Sequence, residues 1–250
     1  MGISAQDVRR VFSQALEPGD DVFIHASLGR MGHFDAGVED IVDALLEAIS
    51  PGGTLVVMTD TRSFAKTGRF SLSQPSETGL LTEVIRQRPE ARRSRVPMIS
   101  FAALGPSVEF YTQEYNDYME PQSTMARVLE RDAKIMLIGI AYEKCTMFHM
   151  AEERLNLPYN AYKTFEGVEL DADGDEIGPI SQRYFVRRDM SIKKNPAIAG
   201  EMLEARGQSV VSPLGDGLVR TFKARDFDRC CMDALEADPE AFLVKTEASN

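Results

Sequence analysis

Short apolar runs alternate with amphipathic segments along the first two thirds of the chain, and this alternation limits the folds open to it. The runs Val22 to Ala26 and TLVVM (residues 54–58) have the length and composition of buried strands. Between them, VEDIVDALLEAI (residues 38–49) places apolar side chains at helical spacing. Two buried strands joined by a helix indicate a β-α-β unit with parallel strand pairing.

The same alternation continues to residue 140 and predicts the fold class. The next elements are a helix at Leu80 to Arg88, an extended segment at Met98 to Leu104, a helix at Thr124 to Glu130, and the strand KIMLIGI at residues 134–140. We therefore predict a three-layer α/β fold, with a mostly parallel or mixed central sheet and helices on both faces.

The last third of the chain changes character. Two extended runs between Tyr162 and Val186 flank DADGDE (residues 171–176), which predicts a hairpin turn. A calcium loop is the lesser alternative, because the glycine lies at the wrong offset and the closing glutamate is missing. The predicted elements after the hairpin are a helix at Ala197 to Ala205, strands at Ser209 to Val211 and Leu218 to Phe222, and a helix at Ala224 to Leu235. Without a repeat or a clear linker, residues 1–250 are predicted to form one domain with the hairpin as an extension.

Composition excludes several classes of protein. A net charge of −11 without a basic block argues against nucleic acid and leaves room for a cationic small-molecule ligand. No stretch approaches the roughly 18 apolar residues of a membrane span, and the N-terminus lacks a secretory pattern. Three cysteines form neither a disulfide framework nor a zinc quartet, so we expect a cytoplasmic protein without a metal. The oligomeric state is not determined by sequence, and a homodimer is left open.

Three polar clusters follow predicted strands, where open α/β sheets bind their ligands: HASLGRMG (residues 25–32), MTDTRSF (58–64) and AYEKCTMFHMAEE (141–153). The small residues and two glycines of the first allow close approach of a phosphate or pantetheine chain, although a plain connection has the same composition. In the second, Asp60 is placed to steer a cationic acceptor or to cap a helix.

The segment CTMFHMAEE (residues 145–153) concentrates the chemistry. With Thr146 as helix N-cap, His149 falls in the first turn and shares one face with Glu152. The carboxylate would fix the histidine tautomer and leave the second ring nitrogen as a general base near neutral pH. The alternative is an ordinary solvated helix face.

Two other interpretations of this segment are weaker. Cys145 at a helix N-terminus would have a lowered pKa, and His149 could act as its base, which would make it an acyltransferase nucleophile. It lacks the flanking glycines of a nucleophile elbow. The sequence argues against a metal site, because HMAEE lacks the second histidine of HExxH, and His25 and His33 are distant in sequence.

Four segments in order resemble the aminoglycoside 3-N-acetyltransferase family: GDDVFIHASLGRMG, VDALLEAISPGGTLVV, RRSRVPMISFAALGP and KIMLIGIAYEKCTMFHMAEE. The resemblance covers residues 18–159 well and the remainder in outline. It implies an α/β fold that uses acetyl-coenzyme A to acylate an amine, in that family the 3-amino group of a deoxystreptamine ring. An aminoglycoside-like or other cationic small molecule is the expected acceptor.

Individual residues match the family's site motifs. His149 matches the histidine proposed as general base, and Glu152 matches the glutamate of the same motif. We add Thr146 as a donor to the oxyanion, because it precedes the helix of the base. The positions that match the coenzyme A site are His25, Ala26, Ser27, Leu28, Gly29, Ser100 and Ser123, with Ala26 in place of a serine.

The sequence also departs from the family pattern. Val96 stands where the family has a histidine before proline, Ile99 where another histidine is common, and Thr124 where a proline is usual. These changes bear on the acceptor more than on the cofactor or the reaction class. They keep open a second function class, a coenzyme A-binding or sensor protein on the same scaffold that has lost turnover.

Overall fold

The structure is a computed structural model that describes residues 2–117 and 119–244. Its helices are α1 (Ala5–Ala15), α2 (Val38–Ile49), α3 (Phe64–Thr67), α4 (Leu80–Gln87), α5 (Val108–Tyr111), α6 (Thr124–Glu130), α7 (Phe148–Arg154), α8 (Ala197–Ala205) and α9 (Ala224–Ala237). Its strands are β1 (Val22–Ala26), β2 (Leu55–Met58), β3 (Arg69–Ser71), β4 (Arg92–Arg93), β5 (Phe101–Leu104), β6 (Lys134–Ile138), β7 (Asn160–Leu170), β8 (Glu176–Arg187), β9 (Ser209–Leu214) and β10 (Gly217–Lys223). Short 3-10 turns follow β1 (Leu28–Arg30) and β6 (Tyr142–Lys144).

Seven strands form the central sheet in the order β4-β5-β2-β1-β6-β10-β9. Strand β1 lies parallel to β2 and to β6, and the outer pairs are antiparallel. The predicted mixed α/β fold is confirmed, with parallel pairing confined to the three central strands. The outer strands run antiparallel because short connections, such as the two residues between β9 and β10, return the chain beside its own strand.

Helices cover both faces of this sheet, as the three-layer prediction requires. Side chains alternate along β1, so Val22 and Ile24 join a buried cluster with residues of α1, α2 and α4. Phe23 points the other way, into a cluster that includes residues of α6, α7, α8 and α9. Because both faces are buried, the central strands are mainly apolar, and His25 near the end of β1 and Lys134 at the start of β6 are the exceptions.

The predicted hairpin is also present, within a second sheet of order β3-β7-β8. Strands β7 and β8 pair antiparallel over most of their length. The turn between them is closed by Asp171, whose Oδ1 accepts hydrogen bonds from the backbone amides of Asp173 and Asp175, each at 2.9 Å. DADGDE is therefore a turn sequence.

One close helix contact holds the chain just before the CTMFHMAEE segment. Gly200 of α8 lies against the ring of Tyr142, in the 3-10 turn after β6. A Cβ on Gly200 would lie 2.1 Å from two ring atoms of Tyr142 and 2.6 Å from its Cβ. The Tyr142 hydroxyl also donates to Glu204 at 2.9 Å, so the ring is held at both ends.

We expect Gly200→Ala to destabilise the protein by about 1–3 kcal/mol, because the added methyl forces Tyr142 or α8 to move. Helix propensity alone would favour alanine by about 1 kcal/mol. Gly178→Ala is the control, since a Cβ there meets nothing within 4 Å. The free energy of unfolding from urea titration distinguishes the two, and a Gly200→Ala protein as stable as wild type would contradict this packing.

Candidate active site

The three predicted polar clusters meet at one edge of the central sheet. Strands β2, β1 and β6 are adjacent and parallel, so the loops at their carboxyl ends converge. Gly139, which follows β6, has φ +68°, and a Cβ there would lie 2.5 Å from the carbonyl oxygen of Ser27. Only glycine allows the loops after β1 and β6 to approach this closely.

Two cavities open at this edge and share one wall. The His149 cavity, of about 540 Å³, is lined by residues of the turn after β6, the start of α7, the end of β8 and the segment after it. The His25 cavity, of about 340 Å³, is lined by the loops after β1, β2 and β6. The residues common to both are Arg62, Lys144 and Thr146. A ligand in one cavity is therefore adjacent to a ligand in the other.

His149 and Glu152 form the pair expected from their spacing. Both lie on α7, and His149 Nδ1 is 2.8 Å from Glu152 Oε2. The carboxylate is fully buried, whereas the imidazole retains 27% exposure and lines its cavity. An ionised carboxylate accepts a hydrogen bond but cannot donate one, so the proton lies on Nδ1 and Nε2 is left as the basic nitrogen.

Glu152 has a second partner that the sequence did not reveal. Lys194 Nζ donates to Glu152 Oε2 at 2.8 Å and to Asn160 Oδ1 at 2.6 Å. Lys194 lies 42 residues after Glu152, in an irregular segment held by an antiparallel bridge to Leu243. No local pattern in the sequence signals such a contact.

Burial and the neighbouring charges set the ionisation of these groups. Burial lowers the pKa of His149, the Glu152 carboxylate opposes that shift, and Lys194 and Arg187 reinforce it, leaving the pKa below the ordinary 6.5. Burial raises the pKa of Glu152, but the hydrogen bond from His149 and the charge of Lys194 outweigh it and the net shift is downward. At pH 7 the pair is a neutral imidazole beside an ionised carboxylate.

The prediction that Thr146 caps α7 is wrong. The helix begins at Phe148, and Met147 occupies the cap position without a side-chain hydrogen bond. The Thr146 hydroxyl turns instead to the shared wall of the two cavities, 3.5 Å from His25 Nε2 and 3.5 Å from Met58 Sδ. The cap is lost because this side chain faces the strand ends, and the hydroxyl lines the same cavity as His149.

The loop predicted to bind coenzyme A lines the other cavity. His25, Ala26 and Ser27 all line it, and burial lowers the pKa of His25 to about 4. Leu28 and Gly29 belong to the 3-10 turn that follows and line neither cavity, although a Cβ on Gly29 would meet nothing within 4 Å. His25 is therefore neutral at pH 7, and the loop leaves room for a ligand chain.

Two other predicted coenzyme residues are not brought to either cavity. The Ser100 hydroxyl is fully buried, where it accepts from Arg93 Nε at 3.0 Å and donates to the Thr59 carbonyl at 2.6 Å. Arg93 is a buried cation that needs these oxygen acceptors. Ser123 is the N-cap of α6, and its hydroxyl accepts from the amide of Ala126.

Asp60 reaches the His25 cavity but already has a cationic partner. Its side chain is fully buried, and Oδ2 lies 2.9 Å from Arg62 Nη2. Burial raises the pKa of Asp60 to about 6. The Asp60 carboxylate is therefore paired with the guanidinium of Arg62, and Arg62 lines both cavities.

Cys145 does not have the properties of a nucleophile. Its thiol is fully buried and lines neither cavity. Burial raises the pKa of Cys145 to about 12, where a lowered pKa had been expected for a thiol near a helix N-terminus. Desolvation of the thiolate outweighs the helix dipole here.

Two wider features bear on the class of site. Within residues 2–117 and 119–244, no three histidine, cysteine or acidic side chains cluster as ligands of a metal ion would. None of the described helices combines the length and the apolar composition that crossing a bilayer demands. His33, the remaining histidine, is exposed and pairs with Asp35 at 3.3 Å.

The chain is similar to known proteins over most of its length. The family described as "Aminoglycoside 3-N-acetyltransferase" matches residues 23–236. Aminoglycoside N(3)-acetyltransferase IV of Salmonella sp is 25% identical over 252 residues, which cover 97% of this chain and 91% of the relative. The crystal structure of aminoglycoside acetyltransferase AAC(3)-Xa superimposes with a TM-score of 0.82 at 24% identity, over 96% of this chain and 94% of the other. The structure of AAC-IIIb binary with CoASH superimposes with a TM-score of 0.80 at 21% identity, over 99% of this chain and 100% of the other.

The family match spans most of the chain, from β1 to the end of α9, and includes all three loops that meet at the strand ends. The two solved structures share its fold over nearly their whole length. This chain belongs to the aminoglycoside 3-N-acetyltransferase family.

Proposed function

We propose that this protein transfers an acetyl group from acetyl-coenzyme A to the amine of a small molecule, with His149 as the general base. The observation that carries the proposal is the 2.8 Å contact between His149 Nδ1 and the fully buried Glu152 carboxylate, at a cavity beside the loops of the strand ends. Family membership supports the same reaction class.

Acetyl-coenzyme A is the proposed cosubstrate, and no metal is needed in this scheme. A relative of the same fold is titled as a binary complex with coenzyme A. We assign the thioester arm to the His25 cavity, where the small side chains of Ala26 and Ser27 leave room for it. Thr146, on the wall between the cavities, then donates a hydrogen bond to the thioester oxygen.

The chemistry follows from the protonation states. At pH 7 the acceptor is mostly an ammonium, so it first releases one proton to solvent, and the neutral amine nitrogen then attacks the thioester carbonyl. His149 Nε2 takes a proton as the carbon–nitrogen bond forms, and the ionised Glu152 stabilises the imidazolium. The tetrahedral intermediate collapses by breaking the carbon–sulfur bond, and the thiolate takes the proton back. The products are an N-acetyl amide and coenzyme A.

Free thiol release tests this function directly. We expect saturable release when acetyl-coenzyme A is mixed with a panel of aminoglycosides and simple amines, together with coenzyme A binding by calorimetry. Coenzyme A binding without thiol release from any amine would overturn the proposal in favour of a non-catalytic coenzyme A-binding protein. A covalent mass increase on Cys145 without acceptor would overturn it in favour of an acyl-enzyme.

His149→Ala is expected to lower kcat by roughly 10² to 10⁴, the usual contribution of general base catalysis, with little change in coenzyme A affinity. His33→Ala is the matched control, because His33 is exposed and lies outside both cavities. The measurement is the thiol release rate under saturating acetyl-coenzyme A. Wild-type kcat in the His149→Ala protein would contradict the assignment of the base.

The pH profile of kcat should reveal the environment of the base. Because its pKa is lowered, the neutral, active imidazole prevails at pH 7, and kcat should fall only as the pH drops below 6.5. Lys194 disfavours the imidazolium, so Lys194→Met should move this acidic limb to higher pH. Lys193→Met, the exposed neighbour, is the control and should leave the limb in place. An acidic limb that does not move in Lys194→Met would show that His149 is not the titrating group.

A further inference from the structure

The His149 cavity is cationic although the chain as a whole is strongly acidic. The net charge of the protein is −11, yet this cavity is lined by one carboxylate, that of Glu143, and by four cations, Arg62, Lys144, Arg187 and Lys194. Local charge, not net charge, decides which ligand is attracted into a cleft. The bulk acidity of the protein therefore says little about its acceptor.

The four cations differ in how far they are neutralised. Lys194 pairs with Glu152 at 2.8 Å, and Arg62 pairs with Asp60 at 2.9 Å. Across residues 2–117 and 119–244, neither Lys144 nor Arg187 forms an ion pair with a carboxylate. Arg187 is half-buried, and one of its nitrogens donates to the carbonyl of Ile192. Its guanidinium therefore retains donors for an anion.

Position separates the roles of these two cations. Arg187 lines the His149 cavity and not the His25 cavity, whereas Lys144 lines both. Arg187 is also close enough to His149 for its charge to lower the pKa of the imidazole. The phosphates of coenzyme A are separated from its thioester by the whole pantetheine arm, so a cation beside the base is beside the reacting carbonyl. Arg187 is therefore placed for the acceptor.

A polycationic acceptor does not complement this cavity. Each further ammonium of an aminoglycoside would need a carboxylate, and Glu143 is the one that lines the His149 cavity. Asp60, in the neighbouring cavity, is buried and paired with Arg62. Like charges brought together in a partly buried site oppose binding and thereby exclude the wrong ligand.

We propose that the acceptor is a small amine that also carries an anionic group, a carboxylate or a phosphonate, and that Arg187 binds this group while the amine faces His149. Arginine suits both anions because its planar donors engage two oxygens at once. The proposal rests on the proposed acetyltransferase function and deepens it. The transfer is unchanged: the neutral amine nitrogen gains the acetyl group and loses one proton to His149, which passes it to the thiolate, so coenzyme A leaves as the thiol.

The test is a series of amines of matched length, assayed by thiol release at low and high salt. We expect kcat/KM to fall from β-alanine to propylamine to 1,3-diaminopropane, with the anion preference weakened by salt. Comparing β-alanine with 2-aminoethylphosphonate then identifies the preferred anion. Acetylation of gentamicin or 1,3-diaminopropane in preference to β-alanine would overturn this inference and leave the acetyltransferase function standing. No thiol release from any amine would overturn both.

Variants of Arg187 give an independent test. Arg187→Met should reduce the ratio of kcat/KM for β-alanine over propylamine by about tenfold or more, chiefly through KM, and Arg187→Lys should restore part of it. Arg188→Met is the matched control, since Arg188 is exposed and lines neither cavity. An unchanged ratio in Arg187→Met, with weakened coenzyme A binding, would assign the cation to the coenzyme and overturn the proposal.

If Arg187→Met does not fold, Arg187→Lys is compared directly with wild type, because lysine keeps the charge and loses the planar pair of donors. A fall in the β-alanine to propylamine ratio would support an anion on the acceptor. Weakened coenzyme A affinity with an unchanged ratio would count against it.

Discussion

The site depends on the two hydrogen bonds that the buried carboxylate of Glu152 accepts. The carboxylate is fully buried, so it must be compensated, and it accepts from both His149 and Lys194 at 2.8 Å. His149 lies on the same helix as Glu152, whereas Lys194 joins α7 to the segment before α8 and also ties that segment to Asn160 at the start of β7. Removing one partner of such a buried pair typically costs about 3–5 kcal/mol. The same contact orients the imidazole, so stability and chemistry are coupled here.

The sheet explains why this carboxylate lies beside a cavity. Three adjacent parallel strands end at one edge, and the loop after β6 runs past the loop after β1 because Gly139 lets the two backbones approach. That loop then enters α7, which delivers His149 to the edge in its first turn. The hairpin of β7 and β8 closes the other side and supplies Arg187. His149, the strand-end loops and the cationic residue Arg187 therefore come from distant parts of the sequence.

Local chemistry was predictable from the sequence, and distant pairing was not. Apolar periodicity located β1, β2, β6 and most helices to within a residue or two, and the spacing of three placed His149 against Glu152. Lys194 was missed because it lies in an irregular segment whose position depends on the C-terminal residues near Leu243. The Thr146 cap failed because tertiary contacts with the strand ends override a local propensity. The prediction of a single domain remains a prediction.

Direct observation of the His149 ring would test the central claim. The claim is that the buried Glu152 carboxylate orients an imidazole that is neutral at pH 7. The chain has three histidines, so ring nitrogen NMR signals can be assigned with His25→Gln and His33→Gln variants. At pH 7 the account predicts a neutral His149 with its proton on Nδ1, in a hydrogen bond to Glu152, and titration below pH 6.5. A doubly protonated ring at pH 7, or a neutral ring with the proton on Nε2, would contradict it.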